Sequence, residues 1–273
     1  MPSAARARDR SLAMPVHITD DGVRLDYLLT GPEDAPALVL SNSLGTDRSL
    51  WDAQMDRLGL FYRVLRYDTR GHGASDAPAG DYSLERLGRD VVSLMDRAGL
   101  ARAHVAGVSL GGITALWLGV HAPDRVDRLV LANTAARIGS EASWADRKRL
   151  IEAGGLAAIA ELTMERWFTA TFRSAQPETV ARIRARLVAV PVTGYLGCCA
   201  ALRDADLRVE AGGVGARTLV VTGTHDPATP PADGAFLAEV IPGASLLELD
   251  AAHLTNVECA EAFSDALVEF FAG

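Results

Sequence analysis

The chain has 273 residues, 49% of them hydrophobic, enough to bury a full core as one large α/β domain or as a domain carrying an insertion. A formal net charge of -8 and the lack of any basic cluster argue against nucleic acid or an anionic membrane surface as the main partner. No apolar run reaches transmembrane length and residues 1–14 lack the apolar core of a secretion signal, so a cytoplasmic protein is expected.

Taken from the N-terminus, the arginine-containing residues 1–14 are expected to be disordered and without chemistry, and Met14 offers a second candidate translation start. Val16 to Thr19 and Val23 to Leu29 alternate around Asp20-Asp21-Gly22, which predicts an antiparallel hairpin at a sheet edge. Ala37 to Ser41 predicts the first central strand, Trp51 to Leu60 a helix, Arg63 to Tyr67 a strand, and Ser83 to Ala98 a helix with Ser83 as N-cap and Gly99 past its end. Ala103 to Val108 predicts a buried strand and Ile113 to Val120 a helix; Val126 to Leu131 is a further strand. Repeated strand-then-helix order implies a mostly parallel central sheet flanked by helices.

Between Asn133 and Leu207 the pattern changes to four helical stretches, Trp144 to Ala153, Leu156 to Phe168, Pro177 to Val188 and Gly194 to Asp204. The expected division is therefore an α/β core over 15–134 and 208–273 with a helical cap over 135–207. Strands resume at Thr218 to Thr222 and Ser245 to Leu249, with helices near Asp233 to Val240 and Glu258 to Phe271. Cys198, Cys199 and Cys259 are odd in number and have no C-x-x-C spacing, so buried free thiols are expected.

The chemistry centres on Val105-Ala-Gly-Val-Ser-Leu-Gly-Gly112, where an apolar strand meets a helix and one serine sits between glycines. Small residues at Gly107 and Gly111 let strand and helix approach closely enough to hold Ser109 on a sharp, strained turn with its hydroxyl lifted from the sheet. A serine hydroxyl is a weak nucleophile at neutral pH and needs a histidine as base and a carboxylate to orient that base. Asp226, in the loop after the penultimate strand, and His253, in the loop after the last strand, supply them, and both loops open beside Ser109 at the carboxyl edge of the sheet. His17, His72, His104, His121 and His225 have no comparable placement, and His225 is expected to pack within its loop. Oxyanion donors are expected from the backbone N–H of Leu110, which follows the nucleophile, and of Leu44, in Ser41-Asn-Ser-Leu-Gly45, where Asn42 or Ser43 would otherwise serve only to shape the loop.

At these motifs the chain resembles the α/β-hydrolase 3-oxoadipate enol-lactonases of aromatic catabolism, from Val16 to the C-terminus. Tyr67-Asp-Thr-Arg-Gly-His-Gly73, the serine turn and the Asp226 and His253 loops are shared with many hydrolases. More specific are Ser41-Asn-Ser-Leu-Gly-Thr-Asp47 with Trp51, Asn133-Thr-Ala-Ala-Arg-Ile-Gly139, Glu165-Arg-Trp-Phe168 and the run Gly197 to Leu207. The resemblance implies the α/β-hydrolase fold with a helical cap and hydrolysis of a small anionic lactone, with no metal or organic cofactor. The acetate arm of such a lactone calls for an arginine, whose planar fork matches a carboxylate. Arg137 is the first candidate and Arg147 the second, with Trp144 as an apolar wall. A carboxylesterase, another lactonase or a cofactor-free perhydrolase or peroxidase would use the same fold and triad, whereas haloalkane dehalogenases and epoxide hydrolases need a carboxylate where this chain has Ser109.

Overall fold

The apolar runs between turn signals form the centre of the sheet. The structure is a computed structural model describing residues 16–273; the expectation for residues 1–14 lies outside them. Strands β1 (Val16–Ile18) and β2 (Arg24–Thr30) form the hairpin, turned at Gly22 with φ 80°. Strand β3 (Ala37–Ser41), helix α1 (Asp52–Phe61), strand β4 (Arg63–Tyr67), helix α2 (Leu84–Arg97), strand β5 (Ala103–Val108), helix α3 (Leu110–His121) and strand β6 (Val126–Ala132) follow. Beyond the insertion come β7 (Arg217–Gly223), helix α9 (Pro231–Val240), β8 (Ser245–Leu249), the short helix α10 (Thr255–Glu258) and α11 (Ala260–Ala272).

These strands make an eight-stranded sheet in the order β1-β2-β4-β3-β5-β6-β7-β8. The pairs β1/β2 and β2/β4 are antiparallel and all others parallel. Every residue of β5 is buried, as a strand covered on both faces requires. Helix α2 is capped as its sequence predicts: the Ser83 side chain accepts from Arg86 N–H, and Gly99 takes φ 70° just beyond its end.

The insertion between β6 and β7 is built of helices joined by loops: α4 (Glu141–Gly154), α5 (Ala157–Trp167), α6 (Ala170–Ala175), α7 (Pro177–Ala189) and α8 (Val192–Asp204). Helix α6 is additional to the four stretches expected. At six residues it is too short to display a helical period, and its start is set by Thr169, whose side chain accepts from Phe172 N–H. The helix expected from Glu258 to Phe271 is broken at Cys259, because the turn before the break is tied into the neighbouring loop: Leu254 N–H donates to Trp167 O and Ala252 N–H to the Glu258 carboxylate. Cys198 and Cys199 are buried free thiols, and burial pushes the Cys199 thiol up to about 12; Cys259 departs from expectation in being only half-buried.

Candidate active site

Ser109 lies between β5 and α3 at φ 56° and ψ −114°, a conformation that L-residues rarely adopt. The surrounding glycines make it sterically accessible. A Cβ on Gly107 would fall 2.1 Å from the Gly111 carbonyl oxygen, and one on Gly111 would fall 2.2 Å from that of Ser41. Ser109 N–H donates to Ala132 O at 3.0 Å, and its own carbonyl accepts from Thr134 Oγ1 at 2.8 Å. The turn is thus anchored to β6 while the side chain faces a cavity of about 390 Å³ under the cap.

The loops after β7 and β8 meet beside this turn. His253, 3% exposed, brings Nδ1 to 2.7 Å from Asp226 Oδ2, which leaves Nε2 for the cavity that His253 and Ser109 both line. Asp226 is held on all sides. Its Oδ2 also accepts from Thr229 Oγ1 at 2.7 Å and Asn133 Nδ2 at 3.0 Å, and its Oδ1 accepts from the N–H groups of Ala228 and Thr229. Burial pushes the Asp226 carboxyl up, but His253 beside it and these donors outweigh burial and hold it below the usual carboxylate range. An ionised Asp226 fixes His253 in the tautomer that can accept a proton from serine.

Leu44 also lines the cavity, and Leu110 is the first residue of α3, where N–H groups have no intrahelical partner. Neither Leu44 N–H nor Leu110 N–H finds a backbone acceptor among the described residues. The loop bearing Leu44 is pinned by Gly45 N–H, which donates to His72 Nε2 at 2.9 Å, and by Asn42 Nδ2, which donates to Tyr67 O at 2.6 Å.

From the cap, α4 contributes Trp144 and Arg147 to the cavity, one turn apart on the same face. Arg147 Nε donates to Tyr195 Oη at 2.9 Å and Nη2 to Thr163 Oγ1 at 3.2 Å, and the guanidinium lies 6.0 Å from the Trp144 ring. No carboxylate among the described residues pairs with it. Burial drives the Tyr195 phenol upward, so this partner is neutral. Trp144 is itself anchored through Nε1, which donates to Ile138 O at 2.8 Å.

Arg137, the first candidate for substrate binding, does not reach this cavity. It follows the buried pair Ala135 and Ala136 and turns outward, where it is exposed and pairs with Asp206 at 3.5 Å. His225 likewise does not pack in its loop but is exposed against Asp250 at 2.8 Å. Two residues without an expected role take part: Arg166 lines the cavity, and Asn133 braces Asp226. A signal for Arg166 exists in the sequence. Ile159, Leu162, Thr163, Arg166 and Trp167 recur at helical spacing and all line the cavity, so Arg166 is a charge on an otherwise largely apolar stripe. Asn133 carries no such signal, because its part depends on a left-handed backbone with φ 44°.

The α/β-hydrolase fold family matches residues 36–259. A 3-oxoadipate enol-lactonase from Acinetobacter baylyi is 42% identical over 250 residues, covering 92% of this chain and 94% of the relative. A second from the same organism is 39% identical over 252 residues, with 92% and 93% covered. The crystal structure of the enol-lactonase from Burkholderia xenovorans superposes with a TM-score of 0.93 at 45% identity, covering 95% of this chain and 100% of that one. Likeness of this extent, in sequence and in fold together, shows that the chain belongs to the α/β-hydrolase fold family and, within it, to the 3-oxoadipate enol-lactonases.

Proposed function

We propose that this chain hydrolyses 3-oxoadipate enol-lactone to 3-oxoadipate through an acyl-enzyme on Ser109, with Arg147 receiving the substrate carboxylate. Ser109 Oγ attacks the ring carbonyl as His253 Nε2 takes its proton, and the oxygen that gains the charge accepts from the N–H groups of Leu44 and Leu110. Collapse of the tetrahedral species breaks the ring C–O bond, and protonated His253 returns its proton as the enol leaves. The enol remains tethered to the acyl group and tautomerises to the ketone, which draws the ring opening forward. His253 then deprotonates a water that attacks the acyl-enzyme, and a second collapse frees Ser109 and the dicarboxylate product.

The observation that carries the substrate assignment is the unneutralised guanidinium of Arg147 in the same cavity as Ser109. A cation held only by hydroxyls and aromatic faces remains available to an anionic ligand, and in a partly dry site a charge-assisted pair is stronger than at the surface. Arg147→Ala is expected to remove about 2–4 kcal/mol of kcat/KM for the enol-lactone. Hydrolysis of an unsubstituted butenolide, which lacks the acetate arm, is expected to change little. Equal losses on both substrates, or full activity on the anionic one, would remove Arg147 from substrate recognition.

A further inference from the structure

We propose that the Ser43 hydroxyl is a third hydrogen-bond donor to the oxyanion, beside the N–H groups of Leu44 and Leu110; this rests on the acyl-transfer reading above and extends it to a side chain. Ser43 is 2% exposed and lines the cavity with Ser109 and His253, yet its Oγ is buried without a hydrogen bond to any described residue. Leaving a desolvated hydroxyl unpaired is costly, so a donor kept in this state by a residue of the cavity wall is available to what enters the cavity. Asn42 Oδ1, in the same loop, is also unpaired, but Asn42 does not line the cavity and an acceptor offers nothing to an oxyanion.

The backbone of Ser43 is fixed without using its hydroxyl. Its carbonyl accepts from both Thr46 N–H at 3.2 Å and Thr46 Oγ1 at 2.7 Å, while the flanking residues are tied by the bonds of Asn42 to Tyr67 and Gly45 to His72. Only Cβ, Cα and the carbonyl carbon separate Ser43 Oγ from the Leu44 nitrogen, so hydroxyl and N–H can converge on one oxygen. A ground-state carbonyl oxygen has two lone pairs, which the Leu44 and Leu110 N–H groups occupy. When Ser109 Oγ bonds to the carbonyl carbon, the π pair moves onto the oxygen and creates a third. Ser43 O–H donates to it without giving up its proton. The third donor therefore acts on the tetrahedral species more than on the bound substrate, the condition for raising kcat rather than lowering KM.

The test uses Ser43→Ala and Ser43→Gly, each identified as folded by its thermal midpoint, with an aryl acetate as substrate and phenylboronic acid as a tetrahedral-adduct inhibitor. For both variants kcat is expected to fall about 10–100-fold with KM within about twofold, and affinity for the boronic acid to fall by a factor similar to that in kcat. A disturbance of the loop that displaced Leu44 N–H would lower both quantities as well, so Ser43→Thr, which keeps the hydroxyl, is the control: it is expected to retain both, and a folded Ser43→Thr as impaired as Ser43→Ala overturns the proposal. A kcat within about twofold of the parent in folded Ser43→Ala or Ser43→Gly, or a loss confined to KM with boronate affinity intact, overturns the proposal. Because the aryl acetate has no carboxylate arm, failure of the substrate assignment leaves this result standing. A parent protein that neither cleaves the ester nor binds the boronate would overturn the acyl-transfer reading and the proposal with it.

Discussion

Asn133 binds three groups at once. Fully buried at the end of β6, it donates through Nδ2 to Asp226 Oδ2 and to Ala252 O, at 3.0 and 3.2 Å, and accepts through Oδ1 from Thr255 Oγ1 at 2.6 Å. One side chain thus sets the carboxylate that orients His253 and also the backbone that precedes His253. Asparagine is among the few non-glycine residues that tolerate its φ of 44°. Asn133→Gly keeps that backbone without strain and deletes only the hydrogen bonds. The substitution is expected to cost about 1–3 kcal/mol of stability, since the Ala252 carbonyl and the Thr255 hydroxyl lose their partner, and to lower kcat more than it changes KM. Chemical denaturation with parallel steady-state kinetics checks this; an unchanged kcat would reduce Asn133 to a structural brace.

At the level of elements, the cap and the loop that carries His253 are joined through one carboxylate. Glu258, on α10, accepts from Thr169 N–H and Thr169 Oγ1 at the start of α6, and from Ala252 N–H at 3.0 Å in the loop after β8. Leu254 N–H, donating to Trp167 O at the end of α5, runs alongside. Cap position and histidine position are therefore set together, which matters because α4 and α5 supply the cavity wall opposite Ser109. Glu258→Gln retains the shape, but one of its two terminal atoms becomes a donor facing donors. About 1–3 kcal/mol of stability should be lost, charge-assisted bonds being the stronger kind, and the Ala252 amide should exchange its hydrogen faster than in the parent. Unchanged protection at Ala252 would show that the loop is held by its other contacts.

For the molecule as a whole, His72 links stability to pH. Burial holds its imidazole down at about 4, against the Arg70 carbonyl and Asp47, which push it up. Its neutral Nε2 is the acceptor for Gly45 N–H. Well above pH 6.5 the histidine is neutral in both folded and unfolded chains and adds no pH dependence. As pH falls from 6.5 towards 4 the unfolded chain takes up a proton that the folded chain refuses, so stability drops across that window. The full effect is on the order of 3 kcal/mol. Denaturation at pH 7 and pH 4.5 should show the parent losing about 2–3 kcal/mol more than His72→Gln over this interval, the carboxylates being common to both. Identical losses would mean that the buried site accepts the proton freely.

The strands β3, β4, β5 and β8 have the ends that the sequence predicts, because a run of apolar residues between turn formers satisfies a strand locally whatever surrounds it. The turn at Ser109 was legible for the same reason: the clash that forbids a Cβ at Gly107 arises from a carbonyl four residues away. The order serine, aspartate, histidine, each following a strand, could likewise be read along the chain. Which of Arg137 and Arg147 enters the cavity could not. The two are equivalent as letters, and their separation into a surface ion pair and a cavity residue depends on how α4 docks over the sheet edge. The same holds for Asn133, Glu258 and the unpaired hydroxyl of Ser43, whose partners lie far along the chain or, for Ser43, are absent among the described residues. Local backbone preference and hydrophobic pattern act over a few residues and are written in the sequence. The direction of a polar side chain follows from the packing of distant elements, and only the tertiary structure decides it.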